Sequence, residues 1–131
     1  MKSIGIITIH KINNYGSVLQ AYALQKVCED LGYKVEIIDY DFPNNFHQNN
    51  KYSTASDTQP NEPKWIKALF AKALVRQHKG IRLFIDKYQN LSSNKYHKVE
   101  DFTANPPTYD VYITGSDQLW SPRHCNGDPA F

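Results

Sequence analysis

"SIGIITIHKINNYGSVLQAYALQKVCEDLGYKVEIIDY", residues 3–40, changes its apolar period twice, and those changes decide the fold. Residues 3–9 are β-branched and continuously apolar, as expected of a strand buried on both faces. From Ser17 the period lengthens. Ala21, Leu24, Cys28 and Leu31 fall at i, i+3, i+7 and i+10, with Val27 widening the stripe, which predicts an amphipathic helix. Gly32 follows the last periodic residue, where a left-handed helix terminus favours glycine. Residues 35–40, "VEIIDY", then read as a second strand. Strand, helix and strand make a βαβ unit with a right-handed crossover and a parallel sheet. Between the first strand and the helix stand Asn13, Asn14, Tyr15 and Gly16, a junction that either holds a ligand or merely turns the chain.

Outside that unit the composition narrows the class. The chain has 131 residues, about one domain, and its 40% hydrophobic content suits a globular protein. No apolar run approaches the roughly 20 residues that span a bilayer. The opening "MKSIGIITIHK" has too short an apolar run for a signal core and no small-residue cleavage site, so a cytoplasmic chain is expected. Cys28 and Cys125 form no metal-spaced cluster, in keeping with a reducing compartment. His124, Cys125 and Asp128 are irregularly spaced and lack a fourth ligand, so neither a metal nor a cofactor is expected. There is no G-x-G-x-x-G or Walker glycine loop to support a nucleotide site, and no nucleic-acid partner is expected.

The net charge of +2 conceals an asymmetry. Residues 64–98 hold nine Lys or Arg and one acid, Asp86, so this stretch carries +8 and the remainder −6. Such a segment suits a phosphorylated partner or a peripheral membrane contact, or is a solvated helix face. Trp65, Ile66, Leu69, Phe70, Ala73 and Leu74 trace one helical face, and Ile81, Phe84, Ile85 and Tyr88 a second helix or a continuation past Gly80. This stripe is expected in the core with the cations outside. Residues 43–63, rich in Asn, Ser, Thr and Pro, read as a polar flexible loop within a single domain over residues 1–131.

"NPPTYDVYITGSDQLW", residues 105–120, supplies the other readable motif. Pro106 and Pro107 stop what precedes them, and residues 110–114 form a short apolar strand. Gly115, Ser116 and Asp117 lie just past its carboxyl end, where ligands bind in open α/β sheets. The Tyr15–Gly16 junction follows the first strand at the same edge, so the two polar loops are expected to converge. Only three strands are legible, fewer than the usual four to six or so. The ending "WSPRHCNGDPAF" shows no final helix or strand, so the chain is expected to be truncated, the first half of something larger.

Together, "NNYGSVLQAYALQKVCEDLGYKVEIIDY" (residues 13–40) and "YDVYITGSDQLWSP" (residues 109–122) resemble the amino-terminal part of the polysaccharide pyruvyl transferase family. The terminal "NGDPAF" is similar to the family's N-G-x-x-D-P segment in shortened form. The resemblance implies a Rossmann-like parallel sheet flanked by helices, as the first half of a glycosyltransferase-B-like two-domain fold. It further implies transfer of a pyruvyl group from phosphoenolpyruvate to two hydroxyls of a saccharide acceptor, as a cyclic ketal, in cell-surface polysaccharide synthesis. The phosphoenolpyruvate-binding residues would lie in a carboxyl-terminal half, so the isolated chain is expected to be inactive. The other function class open to the sequence is a non-catalytic Rossmann-like module binding an anionic small molecule or a partner protein.

The site residues follow from this reading. Asn14 either caps the helix or binds a sugar hydroxyl, and Gly16 either admits a ligand or takes positive φ in a capped turn. Tyr15 either stacks on a sugar ring or shields the turn. Asp117 is the candidate catalytic base, or orients a hydroxyl, with Ser116 and Gln118 as substrate contacts; Asp117 or Ser116 capping a helical turn is the bland alternative. Trp120 is expected to pack beneath this loop. His10, at the end of the first strand, either assists proton transfer or phosphate binding or is structural.

Overall fold

The computed structural model describes residues 1–41 and 64–115. The element order is β1 (Ser3–Thr8), α1 (Tyr15–Asp30), β2 (Lys34–Tyr40), α2 (Lys64–Tyr88), β3 (Leu91–Tyr96), α3 (Val99–Ala104) and β4 (Val111–Gly115). The four strands form one sheet in the order β3-β2-β1-β4, and every pairing is parallel. This is a Rossmann-like sheet with helices on both faces, as the alternation of strand and helix requires. Residues 42–63, which include the polar loop, and 116–131 lie outside the described residues.

β1 sits centrally, and its continuous apolar run fits that place because both of its faces are covered. On one face Ile4 and Ile6 pack with Ala21 and Cys28 of α1 and with Val35 and Ile37 of β2. On the other face Ile7, Ile38, Tyr40 and Tyr96 meet Phe102 of α3 and Tyr109. Burying an Ile or Val side chain contributes about 1.5–3 kcal/mol, so these two layers are the main source of stability. The Tyr109 ring lies against Gly5, where a Cβ would collide with its Cδ2, and its hydroxyl donates to Glu36 Oε2 at 2.7 Å. Burial, then the adjacent Glu36 carboxylate, push the Tyr109 phenol well above its ordinary pKa.

α1 begins at Tyr15 rather than Ser17, and its buried side is Val18, Ala21, Gln25 and Cys28. Val27 and Leu31, expected on the apolar stripe, are exposed. The buried arc is rotated towards Val18 and Gln25 because α2 packs on that flank through Ile81 and Ile85. Gln25 serves as a polar strap there: its Nε2 donates to Tyr88 O at 3.3 Å and its Oε1 accepts from Asn90 N at 2.9 Å. The helix ends as the sequence predicts. Gly32 takes φ 88°, its N–H donates to Glu29 O and the Tyr33 N–H donates to Cys28 O, the paired bonds of a Schellman terminus.

α2 continues through Gly80 as one helix of 25 residues. Its apolar stripe is core only in part. Ile81 and Ile85 are buried and Phe84 packs with them, whereas Trp65, Phe70 and Tyr88 are exposed. β3 is a strand that apolar patterning misses: of "LSSNKY" only Ser92 and Tyr96 are buried. Among the described residues it is an edge strand, held by β2 on one side alone, so a run of polar residues is tolerated there. Among the described residues no helix is long and apolar enough to cross a membrane.

Candidate functional site at the carboxyl rim of the sheet

Strands leave β1 in opposite directions across the sheet: β2 and β3 lie on one side and β4 on the other. The crevice outside the carboxyl ends at such a reversal is where open α/β sheets take ligands. Thr8, the last residue of β1, pairs with Gly115, the last residue of β4. The Thr8 hydroxyl donates to Gly115 O at 2.6 Å, tying the two strand ends together. Gly115 is close-packed as well, since an added Cβ would lie 2.9 Å from Leu24 Cδ2 and 3.1 Å from Gln20 Nε2. The chain therefore leaves β4 on the same rim as the Asn14–Gly16 corner. Ser116, Asp117, Gln118, Trp120, His124, Cys125 and Asp128 lie outside the described residues.

Asn14 is the N-cap of α1, in extended backbone, and its Oδ1 accepts from Gly16 N at 2.8 Å and Ser17 N at 3.4 Å. Two of the amide donors freed at the helix start are thus satisfied from within. Gly16 lies in the first helical turn, and the only described glycine with positive φ is Gly32. The expectation of a left-handed Gly16 is corrected accordingly. What Gly16 provides is room: a Cβ there would stand 3.1 Å from Asn14 Oδ1. Asn14, Tyr15 and Gly16 are all exposed on the rim.

His10 and Lys11 continue β1 into an ionic network that the sequence reading did not identify. His10 is fully buried, as a structural histidine would be. Its Nδ1 lies 3.0 Å from Thr8 O and its Nε2 3.4 Å from Asp39 Oδ1. Lys11 Nζ pairs with Asp39 and lies 3.4 Å from Asp41 Oδ1, and Asp41 Oδ2 is 2.6 Å from His97 Nδ1. Burial pushes the Asp39 carboxyl up, but hydrogen bonds from His10 and Lys11, with the Lys11 charge, outweigh it and hold the group at about 2. Asp39 is accordingly a fixed anion and a poor proton acceptor at neutral pH. The available signal was a polar residue closing each apolar strand, His10 after β1 and Asp39 near the end of β2. Which strand ends meet is decided only by the β1–β2 pairing.

Beside this network a cleft of about 930 Å³ opens between the carboxyl ends of the strands and α2. Lys11, Asn13, Asp39, Arg82, Ser92 and Lys95 are among its lining residues, with Ser92 and Lys95 on the strand beside Asp39. Its mixture of cations, carboxylate and hydroxyl offers both donors and acceptors, the chemistry a polyhydroxyl ligand needs. Residues 11–13 of the β1–α1 loop border the cleft, and Asn14 follows directly as the cap of α1. Among the described residues no group of three His, Cys, Asp or Glu could hold a metal ion.

The family model for polysaccharide pyruvyl transferase matches residues 14–131, from the N-cap of α1 onward. The chain belongs to the polysaccharide pyruvyl transferase family. No curated protein and no solved structure gives a match. The family match spans both motifs of the rim, the corner at Asn14–Gly16 and the segment after Gly115, with the parallel sheet between them. Pyruvyl transferase membership thus meets a Rossmann-like sheet whose reversal point brings together the two strand ends that carry these motifs.

Proposed function

We propose that this domain forms one wall of a site that transfers a pyruvyl group from phosphoenolpyruvate to two hydroxyls of a saccharide, in cell-surface polysaccharide synthesis. The observation that carries the reading is the Thr8–Gly115 pairing at the sheet reversal, which starts the Asn14–Gly16 corner and the segment after Gly115 from one rim. In this reading a proton adds to the enol carbon, leaving an oxocarbenium-like centre. One sugar hydroxyl attacks it and loses its proton, phosphate departs, and a second hydroxyl closes the ketal and loses its own. Asp117 accepts or orients the hydroxyl protons, Ser116 and Gln118 bind the acceptor, and Asn14, Tyr15 and Gly16 complete that wall. Cations facing the phosphate come from a second α/β half of a glycosyltransferase-B-like enzyme acting in the cytoplasm.

Family membership together with the open rim supports this over a module that captures an anion at the start of α1. Two of the amides such an anion would use are already bonded to Asn14. The test is to incubate phosphoenolpyruvate and saccharide acceptors with the 131-residue chain alone and with the chain joined to the carboxyl-terminal half of a family member. The chain alone should give no ketal, and the joined protein should give ketal and phosphate in equal amounts. Asp117→Asn in the joined protein should lower the rate at least about a hundredfold, the scale of a lost general base. Ketal from the chain alone would overturn the two-wall reading, and parental activity in the Asn variant would remove Asp117 from acid–base work.

A further inference from the structure

We propose that α2 docks this domain on an anionic lipid surface, through the helix face turned away from the sheet. At 100° per residue Trp65, Lys72, Arg76, Lys79 and Leu83 project within a stripe about 60° wide. Ile81 and Ile85, which pack towards Val18 of α1, project on the opposite side of the helix. The outward stripe is long as well as narrow, because Trp65 and Leu83 are about 27 Å apart along the axis at 1.5 Å per residue. Its apolar members are not covered: Trp65 is 66% exposed and Leu83 59%, with Val75 on the flank at 68%. Among the described residues Lys72, Arg76 and Lys79 take part in no ion pair.

Charge complementarity selects the occupant. The outward stripe carries Lys72, Arg76 and Lys79, three of the nine cations of residues 64–98, a stretch of +8 in a chain whose remainder carries −6, so this helix face is cationic. An anionic bilayer attracts that surface and repels the remainder, which orients the domain as well as binding it. Exposed Trp, Val and Leu interleaved with the cations have no counterpart on a nucleic-acid backbone. At a lipid interface Trp settles at headgroup depth while Lys and Arg keep their charge in the phosphate layer. The contact is a surface one, reversible and salt-sensitive.

The experiment is sedimentation of the 131-residue chain with vesicles of phosphatidylcholine alone and of phosphatidylcholine with phosphatidylglycerol, at low and high salt. Binding is expected to the anionic vesicles only and to fall at high salt. Each cation near the surface strengthens partitioning about fivefold, so Lys72→Glu, Arg76→Glu and Lys79→Glu combined should weaken it by at least about a hundredfold. Trp65→Ala with Leu83→Ala should weaken it several-fold while leaving the salt dependence in place. All five positions are exposed, and thermal melts establish that the variants fold; the salt series tests the charge contribution without any substitution. Equal binding to neutral vesicles, parental binding by the charge-reversed variant, no effect of the Trp65/Leu83 pair, or binding to DNA without binding to vesicles would each overturn the proposal. None of these readouts involves pyruvyl transfer, so the outcome is separable from that of the proposed activity.

Discussion

Asp39 holds a charge at 1% exposure, and it keeps that charge because His10 and Lys11 both turn towards it. Its carboxyl titrates near 2 in the fold against an ordinary value of 3.8. A depressed carboxylate contributes stability that is complete above the unfolded value and is lost as pH falls through the folded one. The contribution is about 2 kcal/mol, lost between roughly pH 4 and pH 2. Acid titration followed by circular dichroism should show this, and Asp39→Asn should flatten that part of the curve. At neutral pH the same substitution should cost about 3 kcal/mol in urea unfolding, since it removes the buried carboxylate that Lys11 pairs with and leaves Lys11 only the longer contact to Asp41. Asn14 is the milder case. Asn14→Ala should lose about 1 kcal/mol and Asn14→Ser very little, because a serine oxygen can take the same helix-start amides.

At the scale of elements, the two helices on one face are joined partly by a single polar side chain. Gln25 reaches from α1 to the turn between α2 and β3, accepting from Asn90 N and donating to Tyr88 O and to Glu29 Oε1. Gln25→Leu keeps most of the volume but removes two part-buried bonds to the backbone of residues 88 and 90, so a loss of about 1 kcal/mol is expected in urea unfolding. Val18→Ala, which loosens the apolar half of the same junction, acts by a different mechanism and is the natural comparison. β3 shows why patterning fails on an edge: Ser93, Asn94 and Lys95 are exposed, while Ser92 and Tyr96 are buried and Leu91 packs half-buried against the core.

For the whole molecule, stability follows position in the sheet. β1 and β2 each have a strand on both sides, whereas β3 and β4 are edges among the described residues. Native-state hydrogen exchange should therefore be slowest at amides in the β1–β2 pairing, such as Ile6 and Ile37, and faster along β3 and β4. Uniform protection across all four strands would contradict that ordering. The same arrangement sets the chemistry, because the ends of β1 and β4 meet at the reversal and the ends of β1 and β2 meet at the His10–Asp39 contact.

Residues 3–40 by themselves determined the βαβ unit, the parallel sheet and the Schellman end at Gly32, because local period and glycine φ preference are properties of neighbouring residues. The two rim motifs were equally legible, since each directly follows an apolar strand. Only tertiary structure decided that α1 buries Val18 and Gln25 and leaves Val27 exposed, that "LSSNKY" is a strand, and that Asp39 answers His10 and Lys11. Those outcomes depend on which elements pack together across tens of residues of chain. Periodicity records how one segment alternates, but it carries no information about the partner that segment will meet.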